Sequence, residues 1–192
     1  MAIEYENRKE QIFYLHEGKT KTGKAKYFFS LKKEGDLVET IPEGFEIYEN
    51  PQAQVFLRKI LPKLITDEEI RVVEKGLEKY SELKKCIIDV RKEVITIFVS
   101  SRELNPFEIR DEALSRFLNL DEVEKQLEQN AHYTPLLQFV LTDKDQRIFT
   151  AQRFCFLGSI DNWINIGNSQ PLSQLVKQYL KHLGQDSFFE FF

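Results

Sequence analysis

The sequence predicts an α+β fold of mainly antiparallel β-hairpins, with two or three amphipathic helices packed on one face. Three observations carry this expectation. Short aromatic and β-branched runs come in pairs separated by turn signals. Helical periodicity is confined to a few segments, most of them opened by a capping pattern. Strand pairs precede and follow helices without the strict strand–helix alternation of a doubly wound parallel sheet.

In chain order, Ile12-Phe13-Tyr14-Leu15 and Tyr27-Phe28-Phe29 form a hairpin across a basic loop bounded by Gly18 and Gly23. Phe45–Glu49 and Gln54–Lys59 form a second, around Asn50-Pro51-Gln52-Ala53, with Pro51 at the second position of a type I turn. A competing reading makes Asn50 a helix N-cap and Pro51 the first helical residue. A helix starts at Thr66-Asp67-Glu68-Glu69, a capping box, with Ile65 and Ile70 as the hydrophobic staple and Ile70, Val73, Leu77 and Tyr80 at helical spacing.

Cys86–Val90 and Val94–Val99 are β-branched and read as a further hairpin. Leu104-Asn105-Pro106 opens another helix, with Ile109, Ala113 and Phe117 facing inward. The polar stretch Asp121 to Asn130 follows or continues it. Leu137–Thr142 and Arg147–Phe156 flank Asp143-Lys144-Asp145-Gln146 as a hairpin. Trp163 falls in a loop before the last helix. In that helix Leu172, Leu175, Val176, Tyr179, Leu180 and Leu183 make one apolar stripe, opened by Pro171 and followed by Gly184. The whole is expected to be a single α+β unit spanning 1–192, or two lobes: a β-rich basic one (1–64) and an α+β one (65–192).

Composition excludes several classes. The 192 residues are 42% hydrophobic and 30% charged, which is not the profile of a disordered chain. No apolar run approaches the roughly 18 residues of a membrane helix. The N-terminus lacks the apolar core of a secretory signal, and two cysteines make no disulfide framework. The expectation is a cytoplasmic protein with reduced thiols and no membrane association. A net charge of −4 argues against bulk nucleic-acid binding. Residues 64–130 hold 11 basic against 16 acidic side chains, so the acid concentrates in the middle third.

Few residues announce chemistry. Gly18-Lys19-Thr20-Lys21-Thr22-Gly23-Lys24 has a superficial likeness to a phosphate loop, but Ala25 stands where a Mg²⁺-binding Ser or Thr is needed. The same segment places Lys19, Lys21, Lys24 and Lys26 beside Tyr27, a pattern that can track a nucleic-acid backbone and stack bases. The plainer reading, lysines solvating a hairpin edge, outweighs it.

His16, His132 and His182 show no metal-ligand spacing, so no metal and no cofactor is expected. Glu68-Glu69 and Asp121-Glu122 are explained by helix starts. A small hydrolase or transferase remains an alternative, its site assembled from scattered residues such as His132, Tyr133 and Asp161. Trp163 reads equally as an anchor for a partner and as a plug for the sheet's end. Eight of the sixteen Phe lie in 131–192, four of them in the tail Phe188, Phe189, Phe191 and Phe192. Exposed, that tail would be poorly soluble, so it docks in the chain's own core or, as favoured, across a homodimer interface.

The stretches HEGKTKTGKAKYFFS, IPEGFEIYENPQAQVFLRK and RFCFLGSIDNW, with LGQDSFFEFF, resemble a bacterial protein family of unknown function. The resemblance implies a bacterial origin and a chain that holds together as one unit. It implies no activity, cofactor or residue role. The expected function is that of a non-catalytic binding or adaptor module, with a protein or a second copy of itself as partner. Nucleic acid is a possible but disfavoured partner.

Overall fold

The computed structural model describes residues 2–104, 122, 126, 130–157 and 160–191. The helix expected after Asn105, the stretch from Asp121 except residues 122, 126 and 130, and Phe192 lie outside the described residues. The architecture is α+β with antiparallel strand pairing. The chain divides into two compact units, Met1–Leu61 and Pro62–Phe192.

The first unit is all β. Strands β1 (Glu4–Glu6), β2 (Ile12–Lys19) and β3 (Ala25–Ser30) form a sheet in that order, and β4 (Phe45–Glu49) pairs with β5 (Val55–Lys59). The hairpin reading around Pro51 therefore holds and the helical one does not: Phe45 faces Lys59 and Glu49 faces Val55. Two turns share one construction. Asn7 Oδ1 accepts from the backbone N–H groups of Lys9 and Gln11, and Asn50 Oδ1 accepts from those of Gln52 and Gln54. Each turn brings its fourth residue, Glu10 or Ala53, to a positive φ of about 60°. Asn accepts such local bonds readily, which is why it opens turns. The two turns also join each other. Asn7, only 4% exposed, donates through Nδ2 to the Ala53 carbonyl at 2.8 Å, and Arg8 pairs with Glu49 at 2.6 Å.

The second unit holds the larger core. Its six-stranded sheet runs β10 (Ile160–Asn165), β9 (Ile148–Leu157), β8 (Tyr133–Asp143), β7 (Val94–Ser100), β6 (Cys86–Arg91), and the short β11 (Gln170–Pro171) also pairs with β9. Trp163 is therefore a strand residue opposite Phe154, not a loop residue. An edge strand carries the polar run Asp161-Asn162 without cost, because only one side of its backbone must be paired.

Pro135 lies inside the central strand β8, where a missing N–H is normally tolerated only at an edge or bulge. The register shift between Ile97 and Phe98 supplies that bulge: Ile97 faces Leu137 while Phe98 faces Pro135, and Leu136 is the extra, buried residue.

Helix α1 (Asp67–Tyr80) starts as expected. Thr66 Oγ1 accepts from Glu69 N–H and the Glu69 carboxylate accepts from Thr66 N–H at 2.9 Å. Glu69 also forms an ion pair with Arg147 in the β8–β9 turn. A helical turn, α2 (Ser101–Leu104), follows β7 directly. The last helix, α3 (Leu172–Tyr179), tightens into a 3-10 turn at Leu180–His182. Gly184, at φ +88°, follows the helix as expected.

Helices α1 and α3 touch at Gly76, where an added Cβ would lie 2.2 Å from Val176 Cγ1. Val73, Leu175, Val176, Tyr179 and Leu180 join Ile95, Ile97, Val99, Phe139 and Phe149 in one buried cluster.

Candidate functional site

The basic hairpin closes on itself at its tip. Thr20 N–H donates to the Lys24 carbonyl at 2.8 Å and Gly23 takes φ +80°. The segment after it is β3 and not a helix, so no helix N-terminus faces a phosphate. Lys19, Lys21, Lys24 and Lys26 are all exposed. The register separates them, however. Lys19 faces Ala25 on the side of the sheet that carries Tyr27 and Leu15, whereas Lys26 faces Gly18 on the side of Phe28 and His16. On that second side Phe28, 42% exposed, stacks on the buried His16 ring with centroids 5.3 Å apart.

The candidate residues of the C-terminal third also disperse. Trp163 is half-buried and meets Phe154 edge-on at 5.1 Å. His132 and Asp161 are exposed, and β9 stands between the strands that carry Tyr133 and Asp161. The tail turns inward. Phe188 is fully buried in the unit's own core. Phe191 packs edge-on against Tyr179 and His182, and its carbonyl accepts from Arg153 Nε at 3.0 Å. Phe189, 45% exposed, is the tail phenylalanine left outward among the described residues. No group of three or more His, Cys, Asp or Glu able to hold a metal lies among the described residues. No helix among them is long and apolar enough to cross a membrane.

A surface that sequence reasoning did not single out lies where α1 ends beside β6. The bond from Ser100 N–H to the Lys85 carbonyl, with Cys86 facing Val99, fixes which residues of β6 bond inward. In an antiparallel ladder inward and outward residues alternate. Ile87, Asp89 and Arg91 therefore bond to β7, and Cys86, Ile88 and Val90 direct their N–H and C=O groups away from it. Within the sheet of described residues β6 is terminal, so this edge has no strand partner there.

The side chains of the same three residues lie on the face of Val99, Ile97 and Ile95, against the core. Beside them opens a groove of about 690 Å³, floored by Leu77, Leu83, Cys86 and Ile88. Its rim is acidic: Glu74 and Glu78, one turn apart on α1, and Glu82 beyond it, against Lys84 as the one cation among the described lining residues. Burial, and behind it the Glu103 carboxylate, pushes the Cys86 thiol up to about 12. The thiol is thus a neutral part of the floor and no nucleophile at ordinary pH.

A smaller cavity of about 200 Å³ lies at the end of the same strands, lined by Lys85, Ser100, Arg102, Ala131 and Tyr133. No protein-family model matches this chain, and no curated protein or solved structure matches it either.

Proposed function

We propose that the chain is a non-catalytic binding module whose second unit takes an extended segment of a partner protein as an added strand on β6. The partner segment carries apolar side chains at the groove-facing positions of its centre and basic ones at the groove-facing positions of its ends. One observation carries the reading: a strand edge that has no strand partner among the described residues runs beside a groove with an apolar floor and an acidic rim. Strand addition draws its affinity from main-chain hydrogen bonds and its specificity from alternate side chains entering pockets. Here the main-chain groups are those of Cys86, Ile88 and Val90. The inward side chains of the added strand meet Leu77 and Leu83, and lysines or arginines at its margin meet Glu74, Glu78 and Glu82. The acidic excess of residues 64–130 favours the same partner charge.

The test uses the full chain and short synthetic Val–Thr strand peptides that carry either Lys or Glu at their terminal groove-facing positions, titrated by calorimetry. The Lys-ended peptide is expected to bind, more weakly as salt rises, and the Glu-ended peptide is expected not to. Ile88→Pro removes an N–H that β7 does not use, so it leaves the sheet intact and weakens binding roughly tenfold or more. Glu74→Lys with Glu78→Lys weakens it as well. Equal binding of both peptides, or binding indifferent to Ile88→Pro, overturns the proposal. Dimerisation lost in Ile88→Pro would instead make a second copy the occupant, and would also overturn it.

A further inference from the structure

The 200 Å³ cavity at the ends of β6, β7 and β8 is unlike the groove in its chemistry. It is lined by two cationic residues, Lys85 and Arg102, with the hydroxyl-bearing Ser100 and Tyr133 and the small Ala131. Arg102 is anchored at its backbone, where its N–H donates to Ser100 Oγ at 3.4 Å. Ser100 is itself fully buried. The guanidinium, by contrast, is incompletely satisfied: Nη1 is buried and has no hydrogen-bond partner. Among the described side chains it is the one buried nitrogen or oxygen in that condition.

A buried donor on a charged group is costly to leave unmade, and native proteins rarely keep one without an ion, a water or a functional reason. Glu103 is the nearest carboxylate in sequence, and its Oε1 accepts from the Lys85 backbone N–H at 3.2 Å. It does not reach Arg102 Nη1.

We propose that this cavity binds a small tetrahedral oxyanion: inorganic phosphate, or the phosphate group of a small monoester. Arg102 turns Nη1 into the cavity and engages the anion through its planar fork, the geometry for which arginine is suited and lysine is not. Lys85 and Tyr133 line the same cavity and complete its wall. The volume accommodates one such group and not a large ligand. The site is separate from the β6 edge and stands whether or not a peptide binds there.

The test is thermal unfolding of the full chain with inorganic phosphate, with phenyl phosphate, and with chloride at matched ionic strength. Phosphate or phenyl phosphate is expected to raise the midpoint in a concentration-dependent way that chloride does not reproduce. Phenyl phosphate acting at lower concentration assigns a monoester, and the reverse order assigns the free ion. Arg102→Met separates a ligand site from a structural role. It removes the orphaned buried Nη1 donor, so without phosphate its midpoint is equal to or above that of the parent, while the phosphate response falls by roughly tenfold or more in apparent affinity. Arg102→Lys keeps the charge without the fork and recovers only part of the response. No phosphate response in the parent, or one that survives Arg102→Met, overturns the site. An Arg102→Met chain less stable than the parent without phosphate overturns it too.

Discussion

Replacing Gly76 by alanine is expected to reverse the sign that this substitution normally has in a helix. In an exposed helix interior alanine is favoured over glycine by about 1 kcal/mol. At Gly76 the new Cβ would sit 2.2 Å from Val176 Cγ1 and 3.0 Å from Leu180 Cδ1, against an ordinary carbon–carbon contact of about 3.5–4.0 Å. Val176 cannot swing aside cheaply, because a β-branched residue in a helix has one strongly preferred χ1. Either the helices part or a side chain leaves its rotamer, at about 1–3 kcal/mol. The same neighbours crowd the site whatever the helix propensity, so Gly76→Ala is expected to destabilise by about 1 kcal/mol net.

The companion substitution Val176→Ala empties the same space and alone costs about 2 kcal/mol. Together the two should cost less than their sum by about 1–2 kcal/mol, because the new methyl fills part of what valine vacates. The assay is urea unfolding followed by Trp163 emission. That single tryptophan packs on Phe154 in the same unit and so follows this unit's transition. A Gly76→Ala chain that unfolds at higher urea with an unchanged slope, or a strictly additive pair, would refute the close packing of α1 on α3.

Three further outcomes follow from the same unit. Thr66→Ala removes the acceptor of Glu69 N–H and should cost about 1 kcal/mol by urea unfolding, with Thr66→Ser restoring most of it; an unchanged midpoint would show the cap to be idle. The raised Cys86 value gives a pH dependence. Between the ordinary thiol value and about 12 the unfolded chain releases a proton that the folded chain keeps, so stability falls as pH rises through that window. Cys86→Ala should flatten this alkaline limb. Native Cys86 should react with iodoacetamide far more slowly than the unfolded chain near neutral pH, and equal rates would contradict its burial.

Local signals were the legible ones. Thr66 to Glu69 spell out a capping box that both hydrogen bonds realise, and Asn50-Pro51 marks a turn because the Asn carboxamide accepts bonds two and four residues on. The hairpin at Cys86–Val99 was readable from β-branching alone. Strand β1 escaped because Glu4-Tyr5-Glu6 offers a single apolar residue, and β10 because an edge strand tolerates Asp161 and Asn162.

The candidate site was not legible. Glu74 and Glu78 read as the solvated face of a helix, and Cys86 and Ile88 as ordinary strand residues. Their combination into a groove depends on β6 being the terminal strand, a property of sheet order that no local pattern encodes. The lysines of the first hairpin illustrate the converse. They are neighbours in sequence, yet Lys19 and Lys26 fall on opposite faces because the pairing alternates sides.

The sheet order of the second unit carries a consequence for how that unit assembles. Apart from β11, every strand lies beside its neighbour in sequence. Such a meander forms by zipping adjacent segments, and most of its pairings close short loops with little entropy lost. The pairing of β7 with β8 is the exception, since residues 101–132 intervene. The β6–β7 hairpin and the β8–β9–β10 segment are thus two locally nucleated halves, and their joining closes the longest loop in the sheet. That joint also places Lys85, Ser100 and Arg102 beside Ala131 and Tyr133. The cavity at Arg102 is therefore complete only when the slowest of the strand pairings has formed.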